Sequence, residues 1–338
     1  ANQAVTVAPD DSITHAVRAF VLNWNSSQAF IEGRNAEGQR MLSEAEQEAV
    51  RALQLDQTNT LALAYYAEIL VDQQKWNQGE QYIRQAAERG EDLMDVHRVY
   101  AYVSESLGQY RQAIEEYDKA IAITPNLTFL HIRAGAIYRH LKDYDRALEY
   151  FDRAAKINAQ NQVKNPAPYV SISKTYSQTG DFFAAARNIQ KAITYNPTSA
   201  DLYGQLGVIY FKSRNYEGSI PILACAIYGC TAQQTCQARY ARDCDPDYGE
   251  VGADITGLPL TSSTVVYYYT YGSVLAALSR PQDNKCPEAV NILTQVTTTF
   301  ADQPDIVRIA ADGLAICASL GQIQTTPAAT AITATPSP

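Results

Sequence analysis

Four kinds of position recur along this chain in one register. Small residues stand at Ala67, Ala101, Gly135, Ser173 and Gly207, with successive gaps of 34, 34, 38 and 34. Nine residues after each comes an aromatic: Trp76, Tyr110, Tyr144, Phe182 and Tyr216. Twelve after each comes a second small residue: Gly79, Ala113, Ala147, Ala185 and Ser219. Seven beyond those is always alanine: Ala86, Ala120, Ala154, Ala192 and Ala226. A period of this length marks one supersecondary unit stacked on copies of itself. The spacings predict a pair of antiparallel helices per unit, with small residues where two backbones approach closely. Each aromatic and the bulky residue seven later (Ile83, Tyr117, Phe151, Ile189, Leu223) are expected to fill the space between one hairpin and the next. Gly108 and Gly180 fall at turns between helices, where positive φ is useful, and Pro125 and Pro197 stop the second helices.

This order of small, aromatic, small, alanine and proline resembles the tetratricopeptide repeat, and the resemblance covers residues about 60–230. It implies an all-α, right-handed superhelical solenoid of about seven helical hairpins, with extended N- and C-terminal tails. An extended segment is expected at 1–12, a degenerate hairpin at 13–59, five repeats at 60–230, and an irregular cysteine-containing insertion at 231–264. A degenerate repeat with a capping helix follows at 265–321, then a Thr/Ala/Pro-rich extended tail at 322–338. Within the first flank a long helix is expected inside Ile13–Gly33 and a second at Ser43–Asn59. Terminal units of such stacks are commonly atypical because they cap the array.

Composition narrows the function. A formal charge of −9 and a pI near 5 argue against nucleic acid, which needs a basic surface. No apolar run approaches the ~20 residues of a membrane-spanning helix. The chain opens at Ala1, not Met, and shows no leader, which leaves open whether one has been removed. The six cysteines (Cys225, Cys230, Cys236, Cys244, Cys286 and Cys317) all lie in the C-terminal part without the paired short spacing of a zinc site. They are read as disulfides, hence an extracytoplasmic, secreted or cell-surface location. Spacing does not dictate the pairing; Cys286 with Cys317 is the preferred bridge, the other four pairing among themselves. Sequons at Asn25 and Asn126, and Thr330, Thr333 and Thr335 in the tail, are candidate glycosylation sites.

Catalytic chemistry finds no anchor. The four histidines include His97 and His131, which are 34 apart and so occupy one place in successive repeats, as structural residues would. Nucleophile elbow, P-loop and dinucleotide fingerprint are all missing, and no cofactor is expected. The acidic loop Asp243, Asp245, Asp247, with Asp254 following, is a calcium candidate, although Tyr248 stands where such loops carry glycine.

The resemblance also implies a partner-binding concave face formed by the first helix of each hairpin. Its residues here are Phe129, Ile132, Ala136, Val170, Lys174, Val208, Phe211, Val266 and Tyr269. The carboxylate clamp of the family's chaperone-tail receptors would fall at Ala64, Arg98, Ile132, Val170 and Gly204, and these residues do not form it. The groove suits a weakly charged, partly apolar segment. No charged residue follows Asp312. Together these features suggest a non-catalytic structural subunit that associates with copies of itself head to tail, into a filament, through its extended termini. The alternative is a monomeric extracytoplasmic adaptor that binds a peptide or envelope partner in the groove.

Overall fold

The computed structural model describes residues 6–325, with side chains through residue 320. It divides into two compact units, Ala1–Val163 and Lys164–Pro338. The division falls in the longer loop that accounts for the single gap of 38.

The first unit holds four hairpins: α1 (Ser12–Ile31) with α2 (Asn35–Leu55), α3 (Thr60–Asp72) with α4 (Trp76–Ala87), α5 (Met94–Ser106) with α6 (Tyr110–Ile123), and α7 (Thr128–His140) with α8 (Tyr144–Gln160). The second holds α9 (Ala167–Thr179) with α10 (Phe182–Tyr195), α11 (Ala200–Lys212) with α12 (Tyr216–Tyr228), and α14 (Val265–Leu278) with α15 (Cys286–Thr299). Helix α16 (Pro304–Thr325) packs on α14 and α15. Each unit has its own apolar core, centred on Leu63, Ile83 and Val99 in the first and on Ile189, Leu206, Leu223 and Leu293 in the second. The architecture is all-α.

Local chemistry explains the repeating geometry. The second helices start at Asp143, Asp181 and Asn215, whose side chains accept the N–H three residues on. In the five hairpins from α3 to α12 the turn puts one residue in the left-handed region: Gln74, Gly108, Lys142, Gly180 and Arg214, with φ between 63° and 86°. These five stand in one column of the repeat, and glycine fills it only twice.

The small column works as expected, and the bulky column does two things. A Cβ added at Gly135 would lie 2.7 Å from the Phe151 ring, and one at Gly207 would lie 2.5 Å from Leu223. The bulky residue thus sits opposite the small one inside its own hairpin and also packs toward the next, Ile83 sharing a core with Val96 and Val99 and Ile189 with Leu202 and Leu206. Packing two helix axes closely leaves room for only one large side chain at the crossing.

Three further expectations change. Thr6 and Val7 belong to a helical turn, not to an extended run, while residues 1–5 lie outside the described residues. Helix α16 continues to Thr325, so 322–325 are helical and only 326–338 lie outside. The insertion is more ordered than its sequence suggests. It contains α13 (Ala232–Tyr240), started by a reciprocal Thr231/Gln234 capping box, and two short antiparallel strands, β1 (Gly229–Cys230) and β2 (Ile255–Thr256). Across it α14 packs directly on α12, and Tyr267 donates to Asp201 of α11 at 2.6 Å.

A candidate partner-binding cleft

In the first unit the first helices of successive hairpins surround a cleft of about 290 Å³. Helix α1 contributes Phe20, Asn23, Trp24, Ser27 and Gln28, α3 Glu68 and Asp72, α5 Arg98 and Tyr102, α6 Tyr117, and α7 Phe129 and Arg133.

Its floor is a closed set of ion pairs. Arg98 grips Glu68 with two parallel bonds of 2.8 Å and reaches Asp95 at 3.2 Å. Burial weakens the Arg98 charge, but the Glu68 carboxylate outweighs it and holds the guanidinium above its usual range. Arg133 donates to Glu105 at 2.7 Å and to the Tyr117 hydroxyl at 3.3 Å. Burial pushes Tyr117 up to about 12, with Arg133 acting against that rise. The two guanidinium groups also lie over the rings of Phe20 and Tyr102. Asp72 accepts from Tyr102 at 2.5 Å and from Asn23 Nδ2 at 2.7 Å, yet burial dominates and raises its carboxyl above 3.8.

The rim is aromatic and open: Trp24 is 60% exposed and Phe129 43%. One polar atom in the lining is unused. Asn23 is only 5% exposed, and its Oδ1 has no hydrogen-bond partner. The cleft therefore offers aromatic surface, no free cation, and one buried acceptor that calls for an N–H or O–H donor.

Of the residues expected to form the groove, Phe129 lines this cleft, with Ile132 and Ala136 half-buried on the same helix. In the second unit Val170, Val208, Val266 and Tyr269 are half-buried and pack against its apolar cores, Phe211 is half-buried beside Tyr216, and Lys174 is exposed. Sequence reasoning missed Phe20, Asn23, Trp24, Glu68 and Tyr102. The column that gave Ala136 also gives Tyr102 and Glu68 at steps of 34, so part of the signal was available. Helix α1 carries no repeat signature, and nothing in its sequence singles out Asn23.

The remaining candidates separate cleanly. Disulfides join Cys225 to Cys230, Cys236 to Cys244, and Cys286 to Cys317, leaving no free cysteine. The four aspartates of the proposed calcium loop do not converge. Asp254 accepts from Ala232 N at the start of α13, Asp245 accepts from Asp247 N, and Asp243 accepts from Gln233. Among the described residues no group of three or more potential ligands could hold a metal ion. Asn25 is exposed within α1 and Asn126 is exposed in the turn before α7, whereas Thr330, Thr333 and Thr335 lie outside the described residues. Among those residues no helix is long and apolar enough to cross a membrane.

Three histidines share one structural device. His15, His97 and His131 each donate from Nε2 to the carbonyl six residues earlier, at 2.8–2.9 Å, tying the incoming chain to the first helix. The other ring nitrogen meets Glu48 at 2.5 Å in the first case and Glu116 at 2.6 Å in the second. At the third, Tyr150 occupies the place of the glutamate, and His131 Nδ1 is buried without a partner.

Comparison with known proteins agrees with this geometry. Tetratricopeptide-repeat family models match residues 67–128 and 128–161. The BBSome complex member BBS4 of Bos taurus is 25% identical over 111 residues, 33% of this chain and 20% of that protein. The photosystem I assembly protein Ycf3 of Prochlorococcus marinus is 30% identical over 84 residues, 25% of this chain and 48% of that one. The crystal structure of a tetratricopeptide repeat protein from Parabacteroides merdae superposes with a TM-score of 0.52 at 15% identity, covering 88% of this chain and 99% of that one. The matched segment is built of tetratricopeptide repeats, and hairpins of the same build continue it on both sides.

Proposed function

We propose that the chain is a non-catalytic protein–protein interaction scaffold whose first unit holds a weakly charged, partly apolar polypeptide segment in the cleft between α1, α3, α5 and α7. One observation carries this reading: every charged side chain lining the cleft already has a hydrogen-bond partner within the chain, and both cations are tied to carboxylates, while Trp24, Phe129 and the Asn23 acceptor are unpartnered. An acidic segment would meet no free cation there, since Arg98 and Arg133 are tied to Glu68 and Glu105. A neutral one can bury apolar side chains against the rim and give a backbone N–H to Asn23. The use of all six cysteines in disulfides supports an extracytoplasmic setting.

A second reading makes the chain a structural subunit whose own uncharged tail occupies such a surface on the next copy, head to tail. The match in charge between tail and cleft favours it. A synthetic peptide of residues 326–338, capped at both ends, serves as the probe for both readings, alongside an otherwise identical peptide with two glutamates. Binding is read by titration calorimetry, because Trp24, the one tryptophan of the cleft lining, is itself replaced in one variant. Binding of neutral peptides that weakens tenfold or more in Trp24→Ala and Phe129→Ala, with unchanged circular dichroism, supports the cleft. Binding indifferent to both substitutions removes it. Assembly of the intact chain that survives deletion of residues 325–338 removes the tail reading.

A further inference from the structure

The charges around the cleft of the first unit do not balance. Arg98 is bonded to Glu68 and Asp95, and Arg133 to Glu105. Asp72 stands apart, because the two groups that bond it, Tyr102 and Asn23, are neutral. Two guanidinium groups are therefore set against four carboxylates, and the excess charge is negative. Each Asp72 oxygen accepts one hydrogen bond from these partners and has room for a second. The side chain is half-buried, and loss of water is the largest influence on it, raising its carboxyl above 3.8. A carboxylate short of both water and a counter-charge is stabilised by an incoming cation.

A second feature asks for the same kind of group. Asn23 is 5% exposed and its Oδ1 lacks a partner, while the Nδ2 of the same amide donates to Asp72 at 2.7 Å. The unused acceptor and the uncompensated carboxylate thus lie side by side in the lining. Around them, aromatic rings already accommodate cations. The guanidinium carbon of Arg98 lies 5.3 Å from the centre of the Phe20 ring, and that of Arg133 lies 5.8 Å from the centre of Tyr102. Acceptors, negative charge and ring faces together suit a group that only donates. An ammonium does so with three N–H bonds on a compact head, and the apolar stem that carries it can lie along Trp24 and Phe129.

We propose that the cleft binds a segment of another polypeptide through one lysine side chain, whose ammonium pairs with Asp72 beside Asn23 Oδ1. The inference rests on the reading of the cleft as a peptide-binding surface, and it names the side chain that the segment presents. A single lysine keeps such a segment weakly charged. The C-terminal residues of a second copy are not the occupant, since no charged residue follows Asp312.

Titration calorimetry at low salt tests it with capped peptides of residues 326–338 in which Ala331 is replaced by lysine or by norleucine, whose straight stem lacks the charge. The lysine peptide is expected to bind the intact chain about tenfold more tightly than the norleucine peptide, an advantage that shrinks in high salt. The ratio of the two affinities should fall to near one in Asp72→Asn, its fold checked by circular dichroism and thermal melting. Equal binding of the two peptides to the intact chain, a comparison that needs no variant, overturns the lysine assignment. Where that equal binding still weakens in Trp24→Ala, the peptide-binding reading stands without it. A lysine advantage that survives in folded Asp72→Asn overturns the choice of Asp72 as its partner. An intact chain that binds neither these peptides nor the unsubstituted one overturns the peptide-binding reading and the lysine assignment together.

Discussion

Two residues show how closely the local chemistry is set. Lys142 occupies the left-handed turn position that glycine fills at Gly108 and Gly180, with φ 63°. A side chain there costs about 1 kcal/mol relative to glycine. Lys142→Gly is therefore expected to stabilise the chain by about that amount in urea unfolding, since the position is at a helix end and loses no packed side chain. Asp72 is the opposite case, a side chain held against its preference. Burial raises its carboxyl, so between the ordinary carboxylate value and the raised one the folded chain binds more protons than the unfolded chain. Its contribution to stability is complete at acid pH and is lost as the pH rises through that window. Asp72→Asn keeps an acceptor for Tyr102, and its amide can donate to Asn23 Oδ1 once the Asn23 amide, whose Nδ2 now faces Asp72, turns over. The variant should melt higher than the parent at pH 7, and the difference should shrink toward pH 4. Much at this scale could be read from the sequence: the turn glycines, the repeated histidine and the small column all follow from spacing. The unsatisfied Asn23 could not, because a lone asparagine in a helix acquires meaning only from the neighbours that surround it.

At the scale of elements, periodicity located the helices well wherever small and aromatic residues recur, as in α3 to α12. It located α13 poorly. The segment Ala232–Tyr240 is polar on all sides and has no apolar period, although its Thr231-x-x-Gln234 start is a legible helix signal. The bridge between Cys286 and Cys317, the preferred pairing from the sequence, closes the α15–α16 corner, with its Cα atoms 5.4 Å apart. It spans 31 residues, whereas the two bridges of the insertion span 5 and 8. Longer loops lose more unfolded-state freedom on crosslinking. Replacing Cys286 and Cys317 together by alanine is expected to cost about 3–4 kcal/mol in chemical denaturation, more than removing either short bridge.

For the whole molecule, the division into two units creates an asymmetry, because every disulfide lies in the second. Calorimetry of the intact chain with and without reductant should separate two events. Reduction should lower the melting of the second unit and leave that of the first in place. A single transition that moves as a whole would mean that the units unfold as one. The sequence implied one uninterrupted run of five repeats, because the motif continues across residues 159–166. The boundary depends instead on where the apolar cores end, and spacing alone does not show that.

The side excursion between α12 and α14 has a wider implication. Since α14 settles on α12 as though nothing intervened, the helical stack keeps its register whatever the intervening residues do. Its nine-residue helix and the Cys236–Cys244 bridge hold the outer part of the excursion together, while Ile255, Leu258 and the Cys225–Cys230 bridge anchor its base to α12 and the core. Such a side arm is free to diverge in sequence, or to accept a grafted loop, while the helices beneath it keep their geometry.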